Sequence, residues 1–224
     1  MGKALAYAQC VHRAVLFDFG GVILSSPFDA FNDYESAHLL PRDFIRTVNS
    51  TNPLDNCWAK LERSDISPAE FDEAFAAESA ALGHRVPGRE VLALLHGELR
   101  PTMVKALDTL KASGYILACL TNNVLSTSTT TSTEREVALR AVLNRFDAII
   151  ESSKIGVRKP EPKFYEIACA AISVDPSECV FLDDLGVNLK PAAAMGMATI
   201  KVTSAQQALD ELSHILSLDS IRPS

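Results

Sequence analysis

Asp18 closes an apolar run, Ala14-Val15-Leu16-Phe17, and is followed by Phe19-Gly20-Gly21-Val22. A carboxylate at the C-terminal end of a buried parallel strand stands where open α/β sheets gather their ligands. Three later stretches match it in chemistry: Leu120-Thr121-Asn122-Asn123, Arg158-Lys159-Pro160-Glu161-Pro162 and Phe181-Leu182-Asp183-Asp184. Between them they offer a nucleophile, a hydroxyl, a cation and an acidic pair able to hold a metal. Attack by an aspartate on a phosphate ester asks for that set.

Each piece alone has an ordinary structural role. Asp18 alone reads as a turn residue after a strand, and Thr121 as a strand-end turn or helix cap. Lys159 alone is a solvated lysine before a turn. Asp183 and Asp184 alone are a turn and an N-cap. Taken together, and all at strand or loop ends, they read differently. Gly20 and Gly21 let the backbone approach a ligand and turn N–H groups toward an anion. The Thr121 hydroxyl, the amide of Asn122 and the Lys159 ammonium then surround a phosphoryl group. The flanking prolines restrict where the lysine stem starts. Asp183 and Asp184 are hard oxygen ligands suited to Mg²⁺. A carboxylate facing a phosphate dianion at about 4 Å meets roughly 8 kcal/mol of repulsion at an effective dielectric near 20. The cation and the metal are therefore requirements of such chemistry.

The elements that must position these groups follow from the apolar pattern. The run 14–19 reads as a central strand, buried on both faces. From about 25 to 99 the text is helical, with helices expected around Phe28–Leu40, Trp58–Arg63, Pro68–Leu82 and Arg89–Leu99. Ser67-Pro68-Ala69-Glu70 is a strong helix start. After Pro101 helices alternate with strands at Tyr115–Leu120, Phe146–Ile150, Cys179–Leu182 and Ala198–Val202. Alternation of that kind predicts βαβ units around a parallel sheet. The expected division is a core of 1–24 and 100–224 with a helical cap at 25–99. The polar stretch 126–133 reads as a mobile surface loop.

The totals bound the function. Of 224 residues, 47% are hydrophobic, enough for a real core, and the net charge is −7. Without a basic cluster, nucleic acid is not expected as a partner. No apolar stretch is long enough to span a membrane, and the first residues do not read as a secretory signal. The five cysteines, an odd number without metal-ligand spacing, read as buried thiols of a cytoplasmic protein. A monomer or homodimer acting on a small phosphorylated metabolite is the expectation.

The order of these stretches resembles the haloacid dehalogenase-like hydrolase superfamily over about residues 13–203. Within it the likeness is to the N-terminal phosphatase domain of soluble epoxide hydrolases and related stand-alone phosphatases. Leu120-Thr121-Asn122-Asn123, Lys159-Pro160-Glu161-Pro162, the run from Phe181 to Pro191 and, in the insert, Trp58-Ala59-Lys60-Leu61-Glu62-Arg63 carry it. The resemblance implies a Rossmann-like three-layer core with a helical cap after the first strand. It implies Asp18 as nucleophile and Mg²⁺ held by Asp18, the carbonyl of Gly20, and Asp183 or Asp184, which of the two being left open. Thr121, Asn122 and Lys159 map onto phosphate-binding positions and Asn188 onto a supporting one.

One departure matters. Where the pattern has a second Asp, which protonates the leaving group, this chain has Gly20. General acid–base help is typically worth about 10²–10⁴ in rate, so good leaving groups are expected: anomeric, acyl or aryl phosphates. Two other readings stay open. A metal-independent 2-haloacid dehalogenase uses the same kind of nucleophile, and a non-catalytic relative would bind a phosphorylated ligand or a protein.

Overall fold

A computed structural model of the chain describes residues 12–122 and 133–222. In chain order the elements are β1 (Ala14–Phe17), then α1 (Phe28–Ala37), α2 (Phe44–Ser50), α3 (Cys57–Glu62), α4 (Pro68–Ala81), α5 (Gly88–Ala93) and α6 (Pro101–Ala112). They continue with β2 (Ile116–Thr121), α7 (Glu134–Leu143), β3 (Ala148–Glu151), α8 (Ser152–Ile155), α9 (Pro162–Ile172), β4 (Cys179–Asp183), α10 (Gly186–Ala194), β5 (Ala198–Lys201) and α11 (Ala205–Leu216).

The strands form one sheet in the order β3-β2-β1-β4-β5, every neighbouring pair parallel. β1 lies at its centre, with Leu16 opposite Ala118 on one side and Phe181 on the other. Successive side chains of a strand face opposite ways, and here both ways lead into core. Val15, Phe17, Leu117, Cys119, Val180 and Leu182 pack with Met103, Leu107 and Leu110 of α6 and with Leu209 and Leu212 of α11. Leu16, Ala118, Leu120 and Phe181 pack with Phe164, Tyr165 and Ala168 of α9 and Leu189 of α10. This sandwich explains why β1 is apolar throughout instead of alternating. It is the α/β, Rossmann-like layering expected from the sequence. The chain leaves β1 toward β2 on one side and β4 on the other, so a crevice opens at the C-terminal end of β1.

Helices α1–α5 lie between β1 and β2 and bury a cluster of their own around Phe31, Phe44, Ile45, Phe71 and Phe75. The two strands of chain that lead into and out of this insert are tied together. Leu24 and Leu99 form an antiparallel bridge, Ser25 N donates to Glu98 O at 2.7 Å and Arg100 N to Ile23 O at 2.9 Å. The helix start at Ser67 is a full capping box with Glu70 and Pro68 in its first turn. Gly114, at φ +86°, follows α6 as expected of a helix stop.

The sequence gives no sign of α2. Asp43, its N-cap, is left-handed and makes no side-chain cap. Glu35 of α1, almost wholly buried, supplies the cap from outside, accepting from Asp43 N at 2.7 Å and Ile45 N at 2.9 Å. A cap donated by another helix leaves no local signature. Among the described residues no helix is long and apolar enough to cross a membrane. Cys57, Cys119, Cys169 and Cys179 are free and buried, while Cys10 lies outside the described residues.

Candidate active site

The crevice at the end of β1 holds most of the residues singled out by chemistry. β1 ends at Phe17 rather than at residue 19, because Asp18 starts a tight loop in which Gly20 and Gly21 depart from helical geometry. Phe19 N donates to Asp18 Oδ1 at 2.6 Å, which sets the carboxylate's rotation. Lys159 arrives from the loop between α8 and α9, almost wholly buried. Its Nζ lies 2.9 Å from Asp18 Oδ1 and 2.8 Å from Asp183 Oδ2.

Asp183 ends β4 and is saturated. Oδ1 accepts from Leu185 N at 2.8 Å, and Asn188 Nδ2 lies 3.1 Å and 3.0 Å from its two oxygens. Asn188 is positioned in turn, since its carbonyl accepts from the Tyr165 hydroxyl at 2.6 Å. Asp184 differs: its carboxylate lies against the Gly21 backbone, lines the cavity, and has Ser26 Oγ at a long 3.5 Å. Thr121 ends β2 fully buried. Asn122 turns its side chain to the backbone of Lys159, accepting from Lys159 N at 2.9 Å and donating to Lys159 O at 3.0 Å.

Electrostatics decide what this cluster can hold. Oxygens of Asp18, Asp183 and Asp184 all lie within 4.8 Å of one another, and one ammonium touches two of them. Three carboxylates against one ammonium leave a local surplus of negative charge. The Asp18 carboxyl is raised to about 8: burial pushes it up most, Lys159 pulls it down, and Asp183 and Asp184 push it up again. Burial and Asp183 likewise raise Asp184 to about 6. Burial alone would lower Lys159, but Asp18 and Asp183 more than offset that and hold it above the ordinary lysine range. An all-oxygen, over-negative pocket of this kind fits a hard divalent cation.

Above the cluster lies a cavity of about 620 Å³, within the ordinary range for small-molecule sites. Asp18, Gly20, Asn122, Lys159, Asp184 and Asn188 line its floor. Its walls are mostly apolar and come largely from the insert: Phe28, Phe31, Leu54, Trp58 and Leu95. Trp58, which opens the Trp58–Arg63 run of the insert, stands at this wall and packs its ring on Phe71 of the insert's own core. Gly21 and Asp183 lie behind the floor.

Sequence reasoning missed Glu62. This buried residue of α3 accepts from Trp58 Nε1 at 2.9 Å and Asn122 Nδ2 at 3.2 Å and pairs with Arg158. The only trace in the sequence is its place in the Trp58–Arg63 run. Of the Ser/Thr-rich stretch, 126–132 lies outside the described residues, as does Asn123; Thr133 is the N-cap of α7 in a capping box with Glu136.

An open parallel sheet with an acid at the end of its middle strand and a buried lysine beside it defines a hydrolase class. The description "haloacid dehalogenase-like hydrolase" matches residues 12–196, and the chain belongs to that family. It is 32% identical over 214 residues to the bifunctional epoxide hydrolase 2 of Mus musculus, covering 91% of this chain and 38% of that protein. It is 28% identical over 209 residues to a sesquiterpene phosphatase of Aspergillus oryzae, covering 91% of this chain and 96% of the relative. A HAD family enzyme from Bacteroides thetaiotaomicron, solved with magnesium and inorganic phosphate, shares the fold at a TM-score of 0.58 and 20% identity, covering 90% of this chain and 98% of its own. Dehalogenases stand among the relatives and the solved structures too. The chain spans less than two fifths of the length of the bifunctional epoxide hydrolase.

Proposed function

We propose that this hydrolase is a Mg²⁺-dependent phosphatase acting on phosphate monoesters of apolar alcohols, with Asp18 as nucleophile and residues 25–99 as its cap. One observation carries the reading: three carboxylates crowd one buried ammonium beneath a largely apolar cavity. A carbon-attacking dehalogenase has no use for the two extra acids.

The chain's own residues divide the work. Phe19 N and Lys159 both address Oδ1 of Asp18, so Oδ2 is the oxygen that attacks phosphorus. The ester P–O bond breaks, the leaving oxygen takes a proton from water as the alcohol departs, and a second water then hydrolyses the aspartyl-phosphate to release phosphate and restore the carboxylate. Lys159 and the loop at Gly20, which line the cavity, hold the phosphoryl oxygens, and the buried Thr121 hydroxyl stands behind them at the end of β2. Asp18, Asp184 and the Gly20 carbonyl would hold Mg²⁺, whose charge would offset the repulsion between carboxylate and phosphate. Asp183 does not face the cavity; bonded to Lys159, Leu185 N and Asn188, it holds the lysine in place. Phe28, Phe31, Leu54 and Trp58 bury the apolar alcohol and exclude water. The sesquiterpene phosphatase among the relatives supports that choice of substrate.

The test is a panel of aryl, isoprenoid and sugar phosphates with Mg²⁺ or EDTA. Release of phosphate from apolar esters, abolished by EDTA and by Asp18→Asn, is expected. EDTA-resistant halide release from a 2-haloacid, with no phosphate release, would replace this reading with the dehalogenase one. No turnover of either kind would leave a non-catalytic binding protein.

A further inference from the structure

We infer that Glu62, a residue of the insert, is a positioning residue that holds the backbone of Lys159 in register through Asn122. In calling Lys159 the phosphate-binding cation, this inference rests on the phosphatase reading. The contact itself does not.

The argument begins with the side chain of Asn122. It has two N–H donors and one acceptor oxygen, and all are engaged. Oδ1 accepts from Lys159 N at 2.9 Å, while Nδ2 donates to Lys159 O at 3.0 Å and to Glu62 Oε2 at 3.2 Å. The amide therefore brackets a single residue of backbone, the one that carries the ammonium between Asp18 and Asp183. The Glu62 carboxylate accepts the remaining N–H and so fixes which way the amide faces. Removing that acceptor leaves a part-buried donor without its charged partner, which favours rotation of the amide away from Lys159.

Two further contacts bind the same residues. Ser152 Oγ, fully buried at the start of α8, lies 2.5 Å from Glu62 O and 3.1 Å from Asn122 O. It thus joins the backbones of the two residues whose side chains meet. Arg158, the residue before Lys159, pairs with Glu62 Oε2 and donates to Pro53 O of the insert at 3.0 Å. Lys159 is therefore fastened to the insert both through its own backbone and through its neighbour. A plain ion pair between insert and sheet needs only Glu62 and Arg158. The link through Asn122 gives that pair a catalytic consequence, because displacing a charge by about 1 Å at a reacting centre can cost 10²-fold in rate.

The experiment has two arms. Amide exchange of Lys159 is followed by NMR in the full chain, with Leu117 of β2 as the internal reference. Glu62→Ala is expected to speed exchange at Lys159 by about tenfold or more while Leu117 is unchanged. Glu62→Gln, which keeps one acceptor oxygen, should fall between, and it carries the test should the alanine variant not fold. Lys60→Ala, on the exposed side of the same helix, should leave Lys159 as in the wild type. In the second arm, kcat on an aryl phosphate should fall about 10- to 100-fold in Glu62→Ala with KM nearly unchanged, and Glu62→Gln should restore part of it. Wild-type exchange at Lys159 in both Glu62 variants overturns the inference, as does a loss carried wholly by KM. If the wild type hydrolyses no phosphate ester, the phosphatase reading falls alone and the exchange arm still decides the positioning role.

Discussion

Gly21 and Asp184 share one space: a Cβ at position 21 would fall 2.1 Å from Oδ2 of Asp184. The glycine is also left-handed, at φ +73°. Two constraints thus meet at one residue. The loop after β1 must turn sharply, and the second acid of the pair must lie flat against that turn.

Gly21→Ala should violate both. A non-glycine residue in the left-handed region costs about 1–2 kcal/mol, and the Asp184 carboxylate must also swing away. We expect a lower melting temperature and a Mg²⁺ affinity reduced by about 10- to 100-fold, the usual effect of disturbing what supports a metal ligand. Calorimetric titration with Mg²⁺ measures this directly. An unaltered affinity would remove Asp184 from the metal-holding set.

Lys159→Met should be among the most destabilising single changes available to this chain in the absence of metal. Among the described residues it removes the one cation paired with Asp18 and Asp183 and leaves the buried Asp183 carboxylate without its ion pair, while Asp18, already raised to about 8 beside the lysine, takes up a proton. Breaking a buried pair in this way typically costs about 3–5 kcal/mol. Urea unfolding in EDTA at pH 7.5 gives the value. A loss below about 1 kcal/mol would mean that the carboxylates are better solvated than the burial of Lys159 implies. Phosphatase turnover should disappear in the same variant.

Much of this arrangement was legible in the sequence, for a physical reason. Parallel strands buried on both faces must be apolar, so the polar residues that end them stand out, and Asp18, Thr121 and Asp183 did. Gly114 and the Ser67–Glu70 capping box were legible because their signals are local. What stayed hidden was built from distant residues. The cap of α2 is Glu35, on a different helix. The grip on Lys159 joins residues 62, 122 and 159, and the cavity wall draws on Phe28, Leu54 and Leu95 together. None of these has a periodicity or a spacing. The sequence leaves open which of Asp183 and Asp184 meets the metal, because adjacent residues at a strand end give no hint of direction. In the fold one points to the lysine and the other lines the cavity.

The raised carboxyls give the metal-free protein a distinctive pH dependence. In the unfolded chain Asp18 and Asp184 titrate near 3.8, whereas in the fold they are raised to about 8 and about 6. Between these limits the native state binds more protons than the unfolded state, so its stability falls as pH rises. In EDTA the urea midpoint should therefore be lower at pH 8 than at pH 5.5. Mg²⁺ held at the proposed site would compete with those protons and favour the folded chain, so it should raise the midpoint more at pH 8. A metal-free midpoint that climbs with pH across this range would contradict the crowding of Lys159 by three acids.

Gly20 offers the most direct test of how the reaction is divided. Its backbone sits at φ −71° and ψ 136°, a conformation open to any residue, so an aspartate there asks for no change of backbone. With glycine in place, no side chain at this position gives a proton to the departing alcohol. The wild type should therefore favour aryl over alkyl phosphates, with log kcat falling steeply as the leaving-group pKa rises. Gly20→Asp should flatten that slope, leaving aryl esters little changed and speeding alkyl esters by about 10²-fold or more, the lower end of what a placed general acid supplies. The two slopes, measured with chemistry shown to be rate-limiting, decide the matter. Equal slopes in wild type and variant would mean that another group already delivers the proton, and the acidic residue nearest the alcohol would then have to be sought on the insert.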